Sequence, residues 1–349
     1  MLRILPQLPR ITSHHVRCFS ACPTLLSQQT NTLKPNLKLL SKLRQETEVS
    51  MTKAKEALVK NDNDYERALA WLQEDMKLSG AKKAEKVSGR VAGEGLVGVV
   101  VAEGPEGSRG AIVEVNCETD FVSRNEVFKK LVTQISSTAL FASEEPSIMT
   151  RRYIAELPVD TLLTAPILPH PNSTEIPESL SVSEGMAETV GRLGEKITLR
   201  RAAVAKTSTQ DRKIVSGVYA HGGDQSTGNI GSLVVLGLKN TTHSPSDTIK
   251  KLARNLARQV VGFNPKCVRD EDAIIPDGVS KEEYLSSSVL LRQDYLLGGG
   301  SVQEIVASTS AQEGVEIEVL DFVRWEKGEG IEKKENNFVE EVKRQMQGN

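Results

Sequence analysis

A chain of 349 residues is long enough for two or three domains that each bury a core, and its four cysteines form no CxxC pair, which argues against a disulfide framework or zinc site. Lys and Arg number 44 against 46 Asp and Glu, a net charge of -2 that argues against a protein built mainly to hold phosphate backbones and makes another protein the expected partner. Aromatics are only 4% of residues, so any Phe or Trp at a corner is informative, and no apolar run approaches the roughly 18 residues of a membrane span.

The first acidic residue is Glu46, and Arg3, Arg10 and Arg17 recur among Leu, Ser and Thr. Arg-rich, acid-free composition reads as an import presequence, assigned to residues 1–33 and to the mitochondrial matrix rather than a plastid. From Asn36 to Glu74 the spacing predicts three short helices: Leu37, Leu40 and Leu43 inward on the first, Met51, Ala54 and Leu58 on the second with Ser50 as cap. Tyr65, Ala68, Leu69 and Leu72 face inward on the third, opened by an Asn63–Glu66 capping box. This module spans 34–79, and a basic linker with Lys82, Lys83 and Lys86, read as a solvated helix, spans 80–94.

Gly95 to Glu103 and Gly110 to Cys117 predict a hairpin, followed by a helix carrying Phe128, Leu131, Val132 and Ile135. The order recurs: Ile214 to His221 and Ile230 to Leu238 form a second hairpin, and Ser246 opens a helix with Ile249, Leu252, Leu256 and Val260 that ends at Gly262. The expected fold is therefore α+β: the three-helix module, then a core of two α+β subdomains with antiparallel sheets, at 95–205 and 206–326. Six prolines between 143 and 183 predict a mobile insertion. Val315 to Trp325 alternates as a final strand, and 327–349 should form a terminal helix carrying Phe338, Val339, Val342 and Met346.

Convergent acids, bases, nucleophiles or metal ligands would mark an enzyme, and little of that kind is seen. The five histidines form no metal-ligand spacing in the mature part; His221 stands alone at a strand end. Gly222 to Gly231 lacks the Gly-Lys-Ser/Thr of a phosphate loop and precedes a strand, so it reads as a hairpin turn. Ser301 and Glu304 form a capping box behind Gly298-Gly299-Gly300.

The corner Thr119-Asp120-Phe121-Val122 is different. Ser123 and Glu126 supply a capping box for the following helix and Val122 with Val127 its staple, leaving Phe121 without a local task. Two placements stay open on physical grounds: tucked into its own core, or aimed at a partner.

Val115 to Val122 followed by Arg124-Asn125 resembles the signature of the elongation factor Ts family. Similar blocks are Arg90-Val91-Ala92 with Glu94-Gly95-Leu96-Val97, Leu193-Gly194-Glu195-Lys196-Ile197 before Arg200-Arg201, and Val323-Arg324 with Gly328-Glu329-Gly330. Leu43-Arg44, Thr47, Lys55 and Ala57-Leu58 resemble the family's ubiquitin-associated-like module. The chain departs from the family pattern at Leu252-Ala253-Arg254-Asn255 and Asp294-Tyr295-Leu296. The resemblance implies a mitochondrial guanine-nucleotide exchange factor for the GTPase elongation factor Tu, with no catalytic residue, cofactor, metal or direct nucleic-acid contact. It also implies that Phe121 wedges between helices of the GTPase while Asp120 engages the segment holding its Mg²⁺ site. Thr119, Val122, His221 and Met51 are the further implied contacts.

Overall fold

The computed structural model describes residues 34–47, 49, 51–141, 153–170, 180–206, 212–239, 241 and 244–331. The presequence at 1–33, the cap at Ser50, much of the 143–183 insertion and the terminal helix beyond 331 lie outside the described residues.

Three helices open the fold: α1 (Leu37–Thr47), α2 (Met51–Lys60) and α3 (Tyr65–Val87). Leu40, Leu43, Ala54, Ala57, Leu58, Ala68 and Leu72 close their shared core, each buried leucine contributing about 2 kcal/mol. Leu37 and Met51, expected to point inward, are exposed, each at the first residue of its helix. The cap of α3 is Asp64 rather than Asn63: the Asp64 carboxylate accepts the Arg67 N–H at 3.0 Å. Asn63 adopts φ 60°, which takes it out of the cap position, and its Oδ1 accepts the Asn36 N–H at 2.8 Å, tying the turn to the start of α1.

The third helix does not stop at residue 79, and Lys82, Lys83 and Lys86 lie exposed along its continuation. Helix α3 runs on to Val87, and its second half packs against α7 (Val182–Leu193). The contact needs Gly80, where a Cβ would stand 2.5 Å from the Ala187 carbonyl oxygen. Lys83 adds a hydrogen bond from Nζ to the Gly191 carbonyl at 2.7 Å.

Strands β1 (Glu94–Gly104) and β2 (Gly107–Cys117) form the first hairpin, closed by Pro105-Glu106. The short helix α4 (Asp120–Ser123) and the long α5 (Glu126–Phe141) follow. Then come β3 (Ile154–Leu157), α6 (Val159–Thr164), α7 and β4 (Thr198–Ala205). The second unit holds β5 (Lys213–His221), the two-residue β6 (Thr227–Gly228), β7 (Ile230–Lys239) and α8 (Asp247–Phe263). It ends with α9 (Lys281–Ser288), α10 (Val302–Glu313) and β8 (Glu316–Glu326). Ser246 caps α8 as expected, but that helix passes Gly262 and stops at Asn264, which adopts φ 48°.

The two hairpins do not make separate sheets. The strands run β3-β4-β2-β5-β7-β8, and two pairings join the halves: one parallel contact, Gly107 to Ile214, between β2 and β5, and the antiparallel pairing of β1, already on β2, with β6. Period-2 alternation then serves three cores. Leu96, Val100, Val113 and Val115 face α5 and α7. Val215, Val234 and Leu236 share a core with α8 and α10. The intervening residues Val97, Val99, Ile112, Leu233, Val235 and Trp325 meet each other where the sheet curls on itself. Each helix approaches its hairpin over a glycine: a Cβ on Gly98 would meet Ser136 Oγ at 2.3 Å, and one on Gly217 the Ala253 carbonyl carbon at 2.1 Å.

The described part of the 143–183 segment is not a mobile insertion. Strand β3 pairs antiparallel with β4, and Leu162 and Ile167 are buried in the first core. Pro158 is the N-cap of α6 and Pro166 forms an isolated bridge to Ser181.

A buried carboxylate fastens the ends of the two halves. Glu114 on β2 receives Arg200 Nη1 at 2.9 Å, Arg201 Nε at 2.6 Å and the Gly328 N–H at 2.8 Å, and the Arg201 guanidinium lies 4.5 Å from the centre of the Trp325 ring. Glu114 is fully buried, a placement that requires this density of donors.

Candidate functional site

At the end of β2 the chain turns through Glu118 and Thr119 into α4. Thr119, extended at φ -125° and ψ 156°, is the N-cap: its Oγ1 accepts the Val122 N–H at 3.4 Å. Ser123 is not the cap of the next helix, since its hydroxyl donates to the Asp120 carbonyl at 2.8 Å. Asn125 takes that role, accepting the Val127 N–H at 2.8 Å through Oδ1. The sequence therefore makes two helices at this corner, a single turn and then α5, where one was expected.

Two distant segments, at Arg90 and at Glu195-Lys196, grip the corner. Glu195, in the turn between α7 and β4, accepts the Thr119 N–H at 3.0 Å on one carboxylate oxygen and the Thr119 hydroxyl at 2.6 Å on the other. Glu118 accepts the Lys196 N–H at 2.6 Å and pairs with Arg90 at 3.2 Å. Lys196 Nζ in turn donates to the Arg90 carbonyl at 2.9 Å. Cys117 Sγ donates to the Thr119 carbonyl at 3.2 Å; burial, with the Glu195 charge second, pushes this thiol up to about 12. The roles of Glu118 and Glu195 were not apparent from the sequence; Glu195 stood only inside a block of family resemblance.

The four corner residues divide into two kinds. Val122 is buried in the first core and Thr119 is turned toward Glu195. Asp120 and Phe121 project outward: Asp120 pairs with Arg124 at 2.8 Å, one helical turn on, and Phe121 is 82% exposed. A Phe left in water forgoes about 2 kcal/mol of burial, and Phe121 is more exposed than Phe141 or Phe263, which also reach the surface.

The hairpin turn at 222–229 comes up beside the corner. Asp224 Oδ1 accepts the N–H groups of Ser226 at 2.9 Å and Thr227 at 2.7 Å, and β6 then pairs with Val97 and Gly98 of β1. A cleft of about 560 Å³ is lined by Asp120, Arg124, Gly222, Asp224, Asn229 and Lys327. A larger cleft of about 1270 Å³ shares Gly222 to Asp224 and carries His221, Tyr219, Arg254 and Arg258. His221 is exposed, its ring 6.3 Å from that of Tyr219. Asp120 and His221 thus flank one glycine turn. Met51 lines neither cleft; it is 51% exposed on the three-helix unit.

Among the described residues, no group of three His, Cys, Asp or Glu side chains could hold a metal ion, and no helix is long and apolar enough to cross a membrane. The arrangement is a hydrogen-bonded turn that presents one exposed aromatic beside one carboxylate.

The family model described as "Elongation factor TS" matches residues 118–283, which include this corner, Glu195 and His221. The mitochondrial elongation factor Ts of Coprinopsis cinerea is 36% identical over 357 aligned residues, covering 95% of this chain and all of that protein. That of Nematostella vectensis is 40% identical, covering 83% of this chain and 98% of its own length. The elongation factor Ts of a Nostoc species is 33% identical over 88% of this chain and 97% of its own. With such similarity along nearly the whole of these proteins, the chain belongs to the elongation factor Ts family.

Proposed function

We propose that this chain is a guanine-nucleotide exchange factor of mitochondrial translation elongation: it binds GDP-bound elongation factor Tu, disturbs the Mg²⁺ and nucleotide site, and promotes GDP release. It is not a catalytic enzyme, because exchange needs no covalent step. The observation that carries the reading is the exposure of Phe121 on a fixed turn, next to Asp120. The names of the mitochondrial relatives support both the translation role and the organelle.

The physical logic is short. Mg²⁺ bridging nucleotide and GTPase requires near-octahedral oxygen ligands at about 2.0–2.1 Å, so a small displacement of the segment that holds them weakens GDP. Phe121 wedges between helices of the GTPase, and Asp120 engages the segment beside its Mg²⁺ site. By linkage, a factor that weakens GDP is itself weakened by GDP, so incoming nucleotide expels it. Thr119 and Val122 serve this contact from within, by holding the turn. His221 meets the GTPase from the other side of the glycine turn, and Met51 extends the contact from the ubiquitin-associated-like module at 34–79, followed by the two α+β subdomains.

The test is release of a fluorescent GDP analogue from mitochondrial elongation factor Tu with substoichiometric amounts of this protein. Acceleration with turnover supports the reading; GDP release at the unassisted rate despite complex formation overturns it.

A further inference from the structure

We infer that Glu195 is a positioning residue for nucleotide exchange: by holding both polar hydrogens of Thr119, its carboxylate sets the direction in which Phe121 points. The inference rests on the exchange function proposed above and assigns a role within it to the turn between α7 and β4.

Phe121 is 82% exposed, so its own ring fixes nothing. Its direction is set by the backbone of α4, which has four residues and cannot persist as an isolated helix. Inside the fold α4 has an apolar anchor, Val122, and apolar burial is non-directional: it fixes depth, not rotation. Direction comes from hydrogen bonds, and those at the N-cap converge on Glu195. The Thr119 N–H and hydroxyl reach separate oxygens of one carboxylate, at 3.0 and 2.6 Å, while the same hydroxyl oxygen accepts the Val122 N–H. A two-point, charge-assisted contact of this kind fixes orientation as well as distance.

Glu195 is itself held on both sides. Gly194 before it closes α7 in the left-handed conformation, φ 79°, with its N–H on the Val190 carbonyl. Lys196 after it is held by Glu118 through its N–H and by the Arg90 carbonyl through its ammonium. The end of α7 is thereby coupled to the start of α4 across 76 residues of sequence.

The test is a double-mutant cycle on the maximal rate of GDP release from elongation factor Tu, with melting curves taken on every variant. Glu195→Ala slows release about tenfold and Thr119→Val, which keeps the amide but loses the hydroxyl, about threefold, whereas Thr119→Ser stays at the wild-type rate. In a Phe121→Ala background both Glu195→Ala and Thr119→Val have no further effect, because the group they aim is gone. A merely structural role would lower the rate by the same factor with and without the ring, and that result, or wild-type rates for both single variants, overturns the proposal. Should Glu195→Ala not fold, Thr119→Val carries the same cycle. Wild-type release by Phe121→Ala alone would instead refute the wedge itself, and the positioning role with it.

Discussion

Among single residues, the corner after β2 separates inward from outward side chains. Thr119 and Val122, adjacent to the two outward side chains, are turned inward, and this division could be only partly read beforehand. That Phe121 lacked a local task was legible, because its neighbours matched capping patterns. Which neighbour capped which helix was not: Thr119, Ser123 and Asn125 are all competent caps within seven residues, and the backbone decides among them. Cys117 gives a prediction here. Its raised thiol lies above the ordinary value of 9.0, so the unfolded chain ionises first; the stability it contributes is complete below pH 9 and is lost as pH rises toward about 12. Native protein should therefore leave Cys117 unlabelled by iodoacetamide at pH 7.5 and label it on unfolding, as peptide mass analysis would show. Rapid labelling of the folded protein would mean that the thiol is not buried beside the corner.

At the scale of elements, local signals were read well where one pattern stood alone. The Ser301–Glu304 capping box forms, with the Ser301 N–H on Glu304 at 2.7 Å, because no rival cap lies nearby. The docked face of residues 80–87 and the packing of the described part of 143–183 were not legible for one shared reason: basic or proline-rich composition describes solvent preference, not packing. A proline at a helix N-cap and lysines along a helix with one docked face satisfy the same composition. Gly80 tests the docking of α3 on α7. Gly80→Val drives side-chain atoms into the Ala187 carbonyl and should detach the second half of α3, seen as new protease cleavage between 76 and 90 and a fall of several degrees in Tm. Unchanged cleavage and melting would show that this helix does not depend on that contact.

At the scale of the whole molecule, alternation told which face of each strand is apolar but not which strands would meet. The two hairpin-and-helix units were visible in the sequence; their union into one curled sheet was not, because it depends on pairings between distant segments such as Val97 with Gly228. The Glu114 cluster is the polar counterpart of that union. Glu114→Gln leaves Arg200 and Arg201 facing a neutral amide in a buried setting and should cost about 3 kcal/mol, measured as a lower urea midpoint. A midpoint within experimental error of wild type would mean that the arginines are satisfied elsewhere.

Whether Phe121 drives exchange is read by stopped-flow release of labelled GDP from mitochondrial elongation factor Tu, with wild type and Phe121→Ala each at saturating concentration. Loss of a buried aromatic anchor typically costs about 2–4 kcal/mol, so the variant should release GDP at least tenfold more slowly while keeping the wild-type melting curve. Wild-type release by the folded variant would contradict the account.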